Sequence, residues 1–78
     1  MDKQEFLKNV KNQFVDADDI SLTLNGDFRK IESYDSLTGM TIMVMIKDIY
    51  GVDLSDIEYK SQSTVADLFN LVESKINE

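Results

Sequence analysis

Neither cysteine nor histidine occurs among the 78 residues, and proline and tryptophan are also missing. Without cysteine there is no disulfide framework. With histidine gone as well, the usual ligand set of a structural zinc site is absent, and no metal site is expected. The missing imidazole also bears on catalysis. A nucleophilic serine needs a base to take its proton, and no histidine is present to do so. Neither the apolar strand nor the tight turn of a nucleophile elbow precedes any serine, so a serine hydrolase is the weakest of the possible readings. Without proline nothing breaks the chain into linked parts, and residues 1–78 read as a single domain near the lower size limit for one hydrophobic core.

Positive charge is scarce. Eight Lys and Arg face fifteen Asp and Glu, for a net charge of −7. A basic face that would neutralise phosphates is therefore lacking, and no nucleic-acid partner is expected. No apolar run approaches the length needed to cross a bilayer, and "MDKQEF" does not open an apolar leader. The expectation is a cytoplasmic monomer with no membrane partner.

The residues present spell helices. Asp2 and Glu5 stand at capping-box spacing, and Phe6, Leu7, Val10 and Phe14 fall on one face, which predicts a first helix over roughly residues 3–15. Residues 16–34 carry an Asn25-Gly26 turn and alternating Ile20, Leu22 and Leu24. A lone hairpin would be barely stable, so a long loop pinned to the core by Leu22 or Leu24, Phe28 and Ile31 is preferred. Its "DADD" lacks calcium-loop spacing and reads as solvated loop. A second helix begins at its cap Asp35, runs to Tyr50 and stops at Gly51. Ser55 and Glu58 predict a short helix over residues 56–60, and Ser63 or Thr64 caps a last helix with an apolar stripe of Val65, Leu68, Phe69, Val72 and Ile76. The fold class is all-α, a small four-helix bundle with a long first loop and a short third helix.

The expected core comprises Phe6, Val10, Phe28, Ile42, Ile46, Tyr50, Leu54, Val65, Leu68, Phe69 and Val72. The second helix, however, has two apolar sides. Ile42, Met43, Ile46, Ile49 and Tyr50 gather inward around Gly39. Leu37, Met40 and Val44 form a ridge on the other side, with Met45 at its edge and Thr38, Thr41, Lys47 and Asp48 beside it. A bundle this small cannot bury both sides. A continuous apolar ridge marks a partner surface, and methionine suits one that accepts several partners. Leu37, Met40, Thr41, Val44 and Asp48 are therefore the candidate partner-binding residues.

Ser36 stands at the head of that ridge, on the first turn, where helix amides favour an anionic group. Its hydroxyl either starts a helix or serves chemistry performed by another protein. Asp35 beside it caps the helix, with a second possible role in holding a metal ion used by an attaching enzyme.

Context narrows these alternatives. "DFRKIESYDSLTGMTIMVMIKDIYGVDLS", followed by "STVADLFNLVESK", resembles the acyl carrier protein family across nearly the whole chain. "YDSL" opening an apolar helix that ends in "IYGVDLS" is the strongest part, with Phe28 and "TVADL" at the expected spacing. The resemblance implies that Ser36 receives 4′-phosphopantetheine from coenzyme A through a phosphopantetheinyl transferase. The arm's thiol would then hold an acyl group as a thioester and present it to acyl-loading and synthase-type enzymes. On this reading the protein is a free-standing carrier and not a catalyst. It needs no base of its own, because the transferase supplies the activation and the cofactor the sulfur. Ser33 stands where a glycine is frequent, Tyr34 precedes Asp35, and the outward face of the second helix carries little acid. Those departures resemble carriers of specialised pathways more than the housekeeping fatty-acid type. An aminoacyl or peptidyl carrier loaded by an adenylating enzyme fits the same pattern, and an unmodified helical adaptor is the alternative of another class.

Overall fold

Asp2 accepts hydrogen bonds from the amides of Gln4 and Glu5 and starts helix α1, Lys3–Lys11. The computed structural model describes all 78 residues, and its further elements are a one-turn 3₁₀ helix, Phe28–Lys30, and helices α2, Ser36–Tyr50, α3, Asp56–Lys60, and α4, Val65–Ile76. The architecture is the expected all-α bundle, without strands; Asp27 and Thr64 make a lone β-bridge. No helix is long and apolar enough to cross a membrane.

Helix α1 stops four residues short of the expected end. The amides of Gln13 and Phe14 turn back to the carbonyls of Val10 and Lys11, tightening the chain into successive turns. Asp16, Asp18 and Asp19 follow, and acid at a helix C-terminus opposes the macrodipole. The tightening still delivers Phe14 into the core, while Val15 points outward.

The long loop is ordered by three kinds of anchor. Leu22 and Phe28 are buried, with Leu24 and Ile31 packed beside them. The carbonyls of Leu24 and Gly26 accept from the amides of Ala66 and Val65, groups the first turn of α4 leaves without helical partners. Ser33 Oγ donates to Asp16 Oδ1 at 2.6 Å, tying one end of the loop to the other. The hairpin is absent, as expected of two isolated strands.

Helices α1, α2 and α4 pack on one another, and the loop and α3 close the remaining side. Phe6, Val10, Phe28, Ile42, Ile46, Val65, Leu68, Phe69 and Val72 are wholly buried. The Phe6 and Phe69 rings meet edge to face at 5.6 Å. Val52 and Leu54, in the connection after α2, seal the bottom of the cluster.

Three expectations for α2 need correction. Ile49 is 54% exposed and does not belong to the core. Met45, expected at the outer edge, is buried, and so is Thr38. The inward side is thus rotated toward Thr38, Ile42, Met45 and Ile46, an i, i+4, i+7, i+8 stripe. Tyr50 lies half-buried, because its hydroxyl accepts a hydrogen bond from Asn9 Nδ2 at 3.0 Å near the surface. At the C-terminus of α2, Gly51 adopts φ 70°, the left-handed stop that a residue with a Cβ would resist.

Candidate functional site

Ser36 is the first residue of the longest helix, and it is exposed. Its hydroxyl enters no intramolecular hydrogen bond. The capping is done by the residue before it: Asp35 Oδ1 accepts from the Thr38 amide at 2.8 Å and from Thr38 Oγ1 at 3.0 Å. The backbone bond from Thr38, reinforced by its hydroxyl, pulls the Asp35 carboxyl below its ordinary value. Thr38 is buried by this task, which removes it from the outward face. The second carboxylate oxygen of Asp35 makes no such bond. The division of labour leaves the serine hydroxyl free beside first-turn amides that favour a negative group.

Two open cavities of about 480 Å³ each flank this helix turn, with Met40 on the rim between them. The outer groove runs along Leu37, Thr41, Val44 and Asp48 and also takes in Gln13, Met45 and Ile49. Leu37, Met40 and Val44 are 65%, 63% and 57% exposed. All five residues of the expected partner surface therefore border one apolar groove, and Ile49, misplaced in the core by periodicity, extends it.

The cleft on the other side has Ser36 at its mouth and lies between α2 and α3. Arg29, Tyr34, Gly39, Met43, Tyr59 and Lys60 line it. Tyr34 and Tyr59 hydroxyls are hydrogen-bonded to each other at 2.9 Å. Tyr59 is buried, and desolvation together with this bond pushes its phenol well above the ordinary value. Arg29 donates to the carbonyls of Tyr59 and Gln62 at the C-terminus of α3. Its guanidinium stands 4.8 Å from the ring centroids of both Phe28 and Tyr59. Close approach of Tyr34 to α2 depends on Gly39, since a Cβ there would come within 2.5 Å of the Tyr34 hydroxyl.

Arg29 and Tyr59 escape sequence reasoning because they lie thirty residues apart and neither belongs to a periodic stripe. Tyr34 is visible within "YDSL" and as a departure next to Asp35, but not as a residue of the cleft. Helix α3 is itself held by Glu58, whose side chain pairs with Lys75 of α4 at 2.5 Å. The lysine contact and the Ser55 amide draw the Glu58 carboxyl down to about 2, and the same contact raises Lys75.

The chain matches, over residues 5–72, the family described as phosphopantetheine attachment site. No curated protein matches it. A match over that much of the chain places it in the phosphopantetheine-binding carrier family. The family's cofactor is covalently attached 4′-phosphopantetheine, and its members are carriers, not catalysts, that work with a phosphopantetheinyl transferase and partner enzymes. The residues present fit that group: an exposed, unengaged hydroxyl opens a helix, with a spare carboxylate oxygen beside it.

Proposed function

We propose that Ser36 is the residue that bears 4′-phosphopantetheine, and that residues 1–78 act as one carrier domain holding an acyl intermediate. The observation that carries this reading is the free Ser36 hydroxyl at the head of α2, with Asp35 doing the capping in its place. In the attachment step Ser36 Oγ forms the new bond to phosphorus. The bond from that phosphorus to the adenosine bisphosphate part of coenzyme A breaks, and the hydroxyl proton passes to a base on the transferase. On this reading Asp35 would also help hold a metal ion used by that enzyme. Once attached, the group supplies a terminal thiol that bears cargo as a thioester.

Incubation with coenzyme A and a promiscuous phosphopantetheinyl transferase, followed by intact-mass measurement, tests the assignment. The wild type should gain one phosphopantetheine, and Ser36→Ala should gain none while keeping its helical circular dichroism. A modified Ser36→Ala protein would remove the serine from the role.

The cargo is an acyl chain of a specialised pathway, fatty-acid-like or polyketide-like, and the setting is cytoplasmic. The partner face supports the pathway reading. Leu37, Met40 and Val44 offer apolar area, Thr41 is neutral, and Asp48 is the single acid in the groove. Charge steering from this face is small and apolar contact dominates. Met40→Glu or Val44→Glu should therefore slow turnover by transferase or synthase more than Asp48→Asn does, with weak dependence on ionic strength. Slowest turnover in Asp48→Asn, with the glutamate variants unaffected, would mean that recognition is electrostatic.

A further inference from the structure

A chain tethered at Ser36 has two directions to take, inward between α2 and α3 or along the open cleft. Of the buried apolar core, only Tyr59 lines the cleft at Ser36 and only Met45 lines the outer groove. What closes the core on the Ser36 side is the tyrosine pair. Tyr34 and Tyr59 join hydroxyls at 2.9 Å, and the Phe28 ring lies behind both, with centroids at 6.1 and 5.9 Å. Tyr34 is also set against Phe14 at 6.2 Å, and its hydroxyl fills the space that Gly39 leaves open. Arg29 holds the α3 end of the pair through the Tyr59 and Gln62 carbonyls.

We infer that the Tyr34–Tyr59 pair is a specificity gate that keeps cargo out of the core and selects short or oxygen-bearing acyl groups over long saturated chains. This rests on Ser36 being the attachment residue. An alkyl chain entering the bundle must part the two hydroxyls. The buried Tyr59 hydroxyl is then left without its partner, which costs the desolvation of that group. The Tyr59 hydroxyl, already removed from water, has no second acceptor to turn to. A short or oxygenated acyl group avoids that penalty by lying in the cleft. There Met40 and Met43 supply apolar contact, and Arg29 and Lys60 supply donors. Cargo held there stays open to the enzymes that act on it. An acyl chain entering between the helices would raise the melting temperature with chain length, whereas cargo kept in the cleft would not.

The test uses the full chain loaded with acetyl, hexanoyl or decanoyl arms from the corresponding acyl-coenzyme A thioesters, each checked by intact mass. In the wild type the three forms should melt within about 2 °C of one another. The Phe28 and Ile42 side-chain NMR signals should not move with chain length. Tyr34→Phe/Tyr59→Phe removes both hydroxyls and leaves no polar group to strand. In that variant the decanoyl form should melt at least about 4 °C above the acetyl form, with Phe28 and Ile42 shifting. Either single Phe variant, which breaks the pair, should move the same way if the double variant folds poorly. A chain-length-dependent rise with core shifts in the wild type overturns the gate, as does a folded double variant that still excludes decanoyl. A mass without the added arm refutes the Ser36 reading instead, so the two failures are told apart.

Discussion

Gly39→Ala is the substitution whose sign the structure decides. An isolated helix gains about 0.8–1.0 kcal/mol from Ala over Gly, and nothing in the backbone of α2 at this position opposes the change. The obstacle is one atom. The new Cβ would lie 2.5 Å from the Tyr34 hydroxyl, whereas its next neighbours, Tyr34 Cζ and Tyr59 Cε2, are at an ordinary 3.5 Å. Tyr34 is confined between Phe14 and Phe28 and must withdraw its hydroxyl from Tyr59 to make room. The hydrogen bond is then lost and a buried phenol is stranded, at a cost of about 1–3 kcal/mol. The loss outweighs the propensity gain, so Gly39→Ala should destabilise by about 1 kcal/mol, a fall of roughly 4–8 °C for a domain of this size. In a Tyr34→Phe background the obstructing atom is gone and both remaining contacts are comfortable. The same substitution should there stabilise by about 1 kcal/mol. Thermal and urea unfolding of the four proteins of this double-mutant cycle measure the reversal. Equal stabilisation by Gly39→Ala in both backgrounds would refute the reasoning, because it would mean that the hydroxyl pair places no demand on position 39.

Truncation of the core offers a larger effect and a clean control. Phe69→Ala or Ile46→Ala, both at wholly buried sites, should cost about 2–5 kcal/mol by urea denaturation, while exposed Leu37→Ala should stay within about 0.5 kcal/mol. The Glu58–Lys75 contact should make stability depend on pH at both ends. The Glu58 carboxyl is lowered from 4.5 to about 2, so its contribution is complete above about 4.5 and disappears as pH falls toward 2. The Lys75 group is raised above 10.5, so its contribution is complete below that value and lost on further alkalinisation. Lys75→Met should lower the melting temperature at pH 7 and flatten its fall between pH 4.5 and 2. An unchanged acid limb in that variant would assign the acid sensitivity to other carboxylates.

How far the sequence speaks for itself depends on whether a feature is local. Caps are local, and Asp2, Asp35, Ser55 and Gly51 all act where their spacing places them. Thr64 is the cap of α4, and Asp67 completes a reciprocal box that spacing alone left between two candidates. Periodicity located the stripes of α1 and α4, except that Ile76, at the end of α4, is exposed. It misread α2, where apolar residues surround most of the helix and the inward direction is fixed by the neighbours. Thr38 went inward while its hydroxyl bonded Asp35, and Ile49 went outward while Tyr50 took the contact with Phe6. The long loop was anticipated by its apolar anchors, but not the means of its attachment, since Leu24 and Gly26 use carbonyls that no side-chain pattern encodes.

The same distinction runs through the site. Ser36 and the outer groove lie within one helical stretch, so a motif and a ridge suffice to find them. The cleft beside Ser36 is assembled from three separate parts of the chain: the 3₁₀ turn with Arg29, the residue before the cap, and α3 with Tyr59. A motif spanning the serine reports which chemistry is attached, and it is silent on where the attached chain goes. That second property depends on whether the residues brought to the other side of the helix leave an apolar opening or close it with a polar bond. Here two hydroxyls that are unremarkable at positions 34 and 59 become a pair only once Arg29 fixes α3 and Gly39 admits Tyr34. On the proposed reading, cargo selectivity would follow from tertiary packing beside α2, whereas attachment would follow from local sequence.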